Sequence, residues 1–119
     1  ADVWTFYECE LRVGEWLITE HMENAQPETE VKFNDRCRNL VQMSLAEWSP
    51  VWTKQLRGNK CDGLVEVRFK ANSVQQRPLG FFGPGPSEFT FVIWAFEKGG
   101  DFVPKDACKI GKQREEAVR

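Results

Sequence analysis

The spacing of apolar and polar positions predicts one strand and then two helices in the first part of the chain. Apolar and polar residues roughly alternate over residues 3–10, where aromatic and β-branched side chains are frequent. Over residues 12–24 the apolar positions fall near helical spacing, although Gly14 weakens the beginning of that helix. A second helix is predicted over residues 27–44, because Pro27 suits a first helical position and an apolar stripe follows it.

A basic loop and a strand are predicted next. Residues 49–60 break the helical pattern at a Ser-Pro pair and then turn basic, so they are expected to connect the helices to a sheet. Residues 64–70 alternate with a period of two. This period places Glu66, Arg68 and Lys70 on one face of the strand.

The remaining pattern predicts a meander and a closing helix. Turns are expected at residues 72–73 and 83–87, which are rich in turn-forming residues. The strand-forming runs at residues 74–82 and 88–96 would then pair with the strand before them as a three-stranded antiparallel meander. A helix is predicted from residue 104 onward.

This order of elements predicts an α+β fold, with helices packed against a mainly antiparallel sheet. The length fits a single domain over residues 1–119. Hydrophobic residues at 41% exclude a disordered chain, and charged residues at 29% exclude an integral membrane protein. No apolar run approaches the roughly 20 residues that a membrane span needs, and no leader pattern is seen, so a cytoplasmic location and no membrane partner are expected.

The cysteines and the histidine narrow the possible chemistry. The four cysteines are widely spaced and contain no CxxC pair, so they are expected to be reduced packing residues: Cys9, Cys37, Cys61 and Cys108. His21 is the only histidine, which excludes a histidine-based triad or a multi-histidine metal site. It is expected to face solvent or to cap a helix. Most of the five tryptophans are expected in the core.

The charge is distributed unevenly along the chain. Residues 1–50 carry four Lys/Arg and ten Asp/Glu, a formal charge of −6, whereas residues 51–119 carry twelve and eight, a formal charge of +4. Basic side chains can neutralise phosphates, so any nucleic-acid contact is expected in the second half. Ordinary surface charge is the alternative explanation.

Pairing of the predicted strands would bring several of these cations together. The set comprises Arg68, Lys70, Arg77 and Lys98. Arg offers a planar fork of donors and Lys a point charge, and both suit a phosphate. The alternative is that Glu66 and Glu88 neutralise the cations in cross-strand salt bridges.

The second half also resembles a known protein family. The likeness is specific over about residues 50–116 and is carried by 54–58 (KQLRG), 63–70 (GLVEVRFK), 77–85 (RPLGFFGPG), 89–90 (FT), 95–100 (AFEKGG) and 104–108 (PKDAC), with Arg114 after them. In order and spacing these segments resemble the phage-related RelE/HigB-type toxins. That resemblance implies a RelE-like domain and one half of a toxin–antitoxin pair.

The resemblance further implies a ribosome-dependent mRNA endonuclease (interferase) with no cofactor and no metal. In such enzymes the ribose 2′-hydroxyl attacks the neighbouring phosphate, and cations stabilise the developing charge. The implied partners are an antitoxin protein and the mRNA on the ribosome. The matching positions imply catalytic roles for Arg68, Arg77, Lys98 and Lys105, and RNA-binding roles for Lys54, Arg57 and Lys70.

The chain departs from this family at the acid–base groups. Family members often place a Tyr or His near the end of the sheet, but here the only Tyr is Tyr7 and the only His is His21. Glu97 or a lysine would therefore have to move the proton. Two alternatives stay open: a non-catalytic RNA- or protein-binding module on the same fold, and an unrelated α+β protein whose cations are merely paired.

Overall fold

The chain folds into helices packed against a mixed sheet, and this confirms the predicted α+β class. The computed structural model describes residues 2–58 and 60–119. Within them lie three α-helices and a 3-10 turn: α1 (Leu17–Asn24), α2 (Pro27–Leu40), α3 (Ala107–Val118) and the turn Leu45–Glu47. The same residues form nine strands: β1 (Thr5–Glu8), β2 (Glu10–Arg12), β3 (Glu15–Trp16), β4 (Thr53–Gln55), β5 (Val65–Val67), β6 (Phe69–Ala71), β7 (Val74–Phe82), β8 (Glu88–Lys98) and β9 (Asp101–Val103).

Seven strands make one sheet in the order β1-β8-β7-β5-β4, with β6 also paired to β7 and β9 to β8. The pairs β4–β5, β5–β7, β6–β7, β7–β8 and β8–β9 are antiparallel. β1 is the exception, because it runs parallel to β8 with Thr5 opposite Glu88. The predicted antiparallel meander is therefore present, and the sheet has more strands than the sequence pattern indicated.

Turn chemistry explains why the central hairpin was predictable. Asn72 and Ser73 have φ of 55° and 61°, the left-handed conformation that a two-residue hairpin turn requires at both positions. The register between β7 and β8 then shifts between Leu79 and Gly80, directly after Pro78. At Gly80 an added Cβ would lie 2.6 Å from the backbone oxygen of Thr90. The two strands can approach this closely only because the residue is glycine.

The predicted helix over residues 12–24 is wrong at its beginning. Residues 10–16 form the β2–β3 hairpin instead, with Gly14 in a left-handed conformation (φ 79°) at its turn. The Glu8 carboxylate then accepts hydrogen bonds from the N–H groups of Ile18 (2.7 Å) and Thr19 (2.9 Å). These donors have no partner within the helix, so a carboxylate from the preceding strand defines the start of α1.

Two other predicted boundaries also change. The helix predicted to reach residue 44 ends at Leu40. A separate 3-10 turn follows, and a reciprocal capping box of Ser44 and Glu47 begins it. The strand predicted over residues 64–70 is interrupted at Arg68, whose N–H donates to the Trp52 carbonyl (2.7 Å). β4 lies inside the predicted connecting loop, where its short length and polar composition give little strand signal.

The buried apolar side chains form one cluster between the helices and the sheet. Phe33 of α2 contacts the rings of Phe69, Phe91 and Trp94 at centroid distances of 5.0–6.0 Å. Trp48 and Trp94 are buried and two more tryptophans pack against the cluster, as expected for most of them. Trp16 is the exposed one, at 44% of its accessible surface.

The prediction that all four cysteines are reduced is wrong for two of them. Cys61, between β4 and β5, forms a disulfide with Cys108 in the first turn of α3, with the two Cα atoms 5.0 Å apart. They are separated by 47 positions in the sequence, and only the fold brings them together. Cys9 is free and buried, and Cys37 is free and half-buried. Among the described residues, no helix is long and apolar enough to cross a membrane.

Candidate phosphate-binding cleft

Several cations converge in an open cleft of about 480 Å³ beside α2. It lies where α2, the chain after the 3-10 turn, β6, β7 and the end of β8 meet, and we call it the cationic cleft. Its lining residues are Arg36, Val51, Arg68, Phe69, Lys70, Gln75, Arg77 and Glu97. The structure therefore brings together three of the cations predicted from the sheet, and adds one from a helix.

Arg77 lies at the base of the cationic cleft and is almost fully buried, with 5% of its side chain exposed. Its Nε lies 3.1 Å from the Glu97 carboxylate and 3.5 Å from that of Glu66. Nη1 donates to the Gln76 carbonyl (2.9 Å) and Nη2 to the Gln75 side-chain oxygen (3.2 Å). Each guanidinium nitrogen thus has a protein partner, so Arg77 is built to hold Glu97 in place.

Arg68 occupies the break between β5 and β6 and is 30% exposed. Its Nε lies 2.9 Å from Glu66 Oε2, and its Nη1 donates to the Pro50 carbonyl (2.9 Å). These bonds fix the guanidinium at the wall of the cationic cleft while part of it stays open to solvent. Arg68 is therefore better placed than Arg77 to contact a bound anion.

Glu66 is a buried carboxylate that joins the two arginines. Burial raises its pKa, and the nearby charges of Arg68, Arg77 and Lys54 act in the opposite direction. For Glu66 the structure thus matches the alternative interpretation, in which this carboxylate neutralises sheet cations. The same interpretation is wrong for Glu88, which forms no salt bridge among the described residues and accepts the Gly85 N–H (2.8 Å) instead. Glu97 on the same strand takes that role, and its side chain is 33% exposed in the cationic cleft.

Arg36 is a cation of the cleft that the sequence analysis missed. Its guanidinium carbon lies 4.6 Å from the centre of the Trp52 ring, in a cation–π contact. Its Nη1 is buried and has no hydrogen-bond partner among the described residues. Burial also lowers the pKa of this guanidinium. A signal was present in the sequence, since Arg36 lies between Phe33 and Leu40 on the apolar stripe of α2.

The cationic cleft has a formal excess of positive charge. Arg36, Arg68, Lys70 and Arg77 line it or form its base, against the carboxylates of Glu66 and Glu97. Four cations and two carboxylates leave two positive charges in excess. Lys70 is exposed on β6 and makes no ion pair within the described part of the chain. An anion entering here would meet two cations, Lys70 and Arg36, that no carboxylate neutralises.

The other predicted site residues lie outside the cationic cleft. Lys54 on β4 is the register partner of Glu66 and is exposed beside it. Arg57 is exposed after β4, Lys98 is exposed at the end of β8, and Lys105 is exposed before α3. The structure thus places one predicted RNA-binding residue next to the cleft and separates three predicted residues from its lining.

Tyr7 and His21 also lie away from the cationic cleft. Tyr7 is exposed on β1, and a hydrogen bond with Glu88 raises the pKa of its hydroxyl. His21 does not face solvent as expected: it is half-buried and stacks on Trp94 at 4.2 Å between ring centres. Burial lowers the pKa of His21. Among the groups that line the cleft, Glu97 is the one placed to accept a proton.

A larger groove of about 650 Å³ lies between α1, the β7–β8 pair and α3. Its lining is mostly apolar, with His21 and Trp94 stacked in its wall and Arg114 as its one basic Lys or Arg. Within residues 2–58 and 60–119 there is no group of three or more His, Cys, Asp or Glu side chains arranged to hold a metal ion. No protein-family model, curated protein or solved structure matches this chain.

Proposed function

We propose that this chain binds RNA in the cationic cleft and cleaves it there, as the toxin of a toxin–antitoxin pair that acts on mRNA on the ribosome. The observation that carries the proposal is the cationic cleft itself, in which an excess of cations surrounds one partly exposed carboxylate, Glu97. The resemblance over residues 50–116 adds the RelE-like arrangement and an antitoxin that covers the cleft. A toxin that acts on ribosomes would do so in the cytoplasm.

The chemistry follows from the positions of three side chains. Glu97 removes the proton from the ribose 2′-hydroxyl, whose oxygen then bonds to the adjacent phosphorus. Arg68 and Lys70 stabilise the negative charge that develops on the phosphate oxygens. The bond from phosphorus to the 5′ oxygen breaks, and Lys70 or water returns a proton to that oxygen. The products are a 2′,3′-cyclic phosphate and a free 5′-hydroxyl.

Arg77 has a different role in this scheme from the one that the resemblance implies. All three of its guanidinium nitrogens already bond to protein groups and only 5% of the side chain is exposed, so a phosphate has little access to it. It holds the Glu97 carboxylate in place through the contact at 3.1 Å. We therefore assign Arg77 as a positioning residue, and Arg68 with Lys70 as the phosphate contacts.

A second candidate is a non-catalytic RNA- or protein-binding module. It is favoured by the pairing of both sheet arginines with carboxylates, which leaves them less available to a scissile phosphate. The same pairing would also occur in an unrelated α+β protein with purely structural ion pairs. Lys70 and Arg36 favour a binding cleft over purely structural ion pairs, because neither is paired with a carboxylate in the described residues.

The test is induced expression in bacteria without an antitoxin, read out as growth and as cleaved transcripts. We compare wild type with Glu97→Gln, which keeps the size of the side chain and its ability to accept from Arg77 but cannot take up a proton at neutral pH. Lys70→Ala removes an exposed phosphate contact, and Lys109→Ala removes an exposed lysine of α3 as its matched control.

Growth arrest with cut messages in wild type and Lys109→Ala, lost in Glu97→Gln, would support the proposed cleavage. RNA binding without cleavage in every variant would favour the binding module. Normal growth, intact messages and no RNA binding by soluble wild-type protein would refute both candidates.

A further inference from the structure

Arg36 is a half-buried cation without a counter-anion among the described residues, at the edge of an open cleft. Its Nη1 has no hydrogen-bond partner among the described residues, which is unusual because buried charged donors are nearly always paired. The Arg36 side chain as a whole is only half-buried and lines the cationic cleft. The unpaired donor therefore belongs to a side chain that a molecule in the cleft would touch.

The surroundings of Arg36 hold it in place without neutralising it. α2 fixes its backbone, and the Trp52 ring supports the face of the guanidinium at 4.6 Å. An aromatic face restricts the orientation of a guanidinium while leaving the donors along its edge for another partner. By contrast, Arg38 on the same helix is exposed and bonds to Asp35 at 2.7 Å. The two arginines differ in that only Arg36 lacks a carboxylate.

We infer that Arg36 contacts a second RNA phosphate in the cationic cleft. This phosphate is the one next to the phosphate that is cleaved. Because the Arg36 side chain lines the cleft and is only half-buried, a phosphate oxygen there can accept from its guanidinium, of which Nη1 is itself buried. Lys70 lies in the same cleft and supplies the neighbouring charge. This inference rests on the proposed function for the identity of the ligand, whereas the anion site itself rests on the structure alone.

Arg36 would place one RNA contact in the acidic half of the chain, residues 1–50. The strand of RNA would extend from the sheet, at Arg68 and Lys70, onto α2 at Arg36. The cleft would then contact two successive phosphates, one through side chains of the sheet and one through the helix. A sheet-only site would engage one phosphate and would not depend on α2.

The first arm of the test uses inorganic phosphate and does not involve RNA. Thermal unfolding is followed in millimolar phosphate and in chloride of equal ionic strength, for wild type, Arg36→Met and Arg38→Met. Methionine keeps an unbranched side chain against Trp52 but removes the charge. We expect phosphate to raise the melting temperature of wild type and Arg38→Met, and to raise that of Arg36→Met by less, because Arg68 and Lys70 remain in the cleft. An equal rise in all three would overturn the anion site.

The second arm measures binding of a short single-stranded oligoribonucleotide over a range of salt concentrations. Each phosphate contact on a single strand contributes about 0.7 to the slope of log affinity against log salt. We expect Arg36→Met to lower the slope by about 0.7 and Arg38→Met to leave it unchanged. An unchanged slope in Arg36→Met, with weaker binding in Lys70→Ala, would overturn the inference and leave the proposed function intact.

The two arms together also identify the case in which the anion site is present but the proposed function is wrong. If wild type binds no RNA but phosphate stabilises it through Arg36, the RNA ligand and the proposed function are both wrong, and the cleft binds another phosphorylated molecule. If Arg36→Met lowers both the phosphate effect and the salt slope while its cooperative unfolding matches that of Arg38→Met, the phosphate contact is established.

Discussion

The disulfide between Cys61 and Cys108 should be the largest single contribution to stability that a reagent can remove. It closes a loop across 47 positions of the sequence, from the segment before β5 to the first turn of α3. A cross-link stabilises mainly by restricting the unfolded chain, and for a loop of this length the chain-entropy model gives about 4 kcal/mol. A domain of ordinary stability has about 5–15 kcal/mol in total, so reduction should bring this chain close to its limit.

The assay is urea unfolding followed by tryptophan fluorescence, with and without dithiothreitol. Small proteins lose about 1–3 kcal/mol per molar urea, so a loss of 4 kcal/mol should lower the midpoint by roughly 2 M. The slope should also increase on reduction, because the unfolded chain without its cross-link exposes more surface. Cys61→Ser/Cys108→Ser should unfold at the midpoint of the reduced protein and should not respond to dithiothreitol. Cys37→Ser keeps the cross-link and should respond as wild type does.

A count of free thiols provides an independent check. Denatured, unreduced protein should show two free thiols, those of Cys9 and Cys37. Four free thiols in protein purified without reductant, or equal urea midpoints with and without dithiothreitol, would refute the reasoning. In either case the stability of the chain would rest on its core alone.

Three further perturbations test other parts of the structure. Gly80→Ala should destabilise the chain by about 1–3 kcal/mol in urea unfolding, since its Cβ would lie 2.6 Å from the Thr90 backbone oxygen; unchanged stability would mean that the close β7–β8 approach is absent. His21 is the only histidine, so one NMR titration should show a pKa below its ordinary value of about 6.5. Because the folded pKa is depressed, the stability from neutral His21 is fully present above the unfolded pKa and is lost as the pH falls through the folded pKa. Replacing Trp94 with Ala should expose His21 and move its pKa back up, and an ordinary pKa in wild type would contradict the burial of His21. Arg77→Ala should cost about 3–5 kcal/mol in the same urea assay, because it removes the buried cation between Glu66 and Glu97 and leaves Glu66 with Arg68 as its partner; a loss under 1 kcal/mol would refute the buried pair.

The parts of the fold that the sequence predicted are those that short-range chemistry determines. A period of two and the turn-forming residues Asn72 and Ser73 were sufficient to predict the hairpin that leads into β7. The parallel pairing of β1 with β8 joins residues more than 80 positions apart, and no local pattern encodes it. β4 and β9 have three residues each, too few for a period to be visible.

The candidate site was predictable where it lies on the sheet and not where it depends on packing. Alternation placed Arg68 and Lys70 together, and both line the cationic cleft. That Arg77 would be buried could not be predicted, because strand periodicity does not show how deeply a face is covered. Arg36 was missed because it lies in the acidic half of the chain, where the summed charge conceals a single inward-facing cation.

The disulfide and the proposed cytoplasmic location imply opposite redox states for Cys61 and Cys108. Thiols are kept reduced in the cytosol of most organisms, and disulfides persist in oxidising compartments. A cytoplasmic toxin would therefore carry Cys61 and Cys108 as thiols and would have the lower of the two stabilities described above. Trapping the thiols with an alkylating reagent at lysis, followed by mass measurement, would show which form is present in cells. A fully oxidised pair in cytosolic protein would contradict this reasoning.

The ion pairs at the base of the cationic cleft determine how any loss-of-function variant must be interpreted. Because Arg77 is buried between Glu66 and Glu97, an inactive Arg77→Ala protein would report a damaged fold as readily as a lost RNA contact. Lys70 and Arg36 do not carry this ambiguity, since Lys70 is exposed and Arg36 has an unpaired donor. If RNA binding is lost in Lys70→Ala and Arg36→Met while both unfold at the wild-type urea concentration, the cleft binds nucleic acid. If it is lost only in Arg77→Ala, the arginines of the sheet are structural.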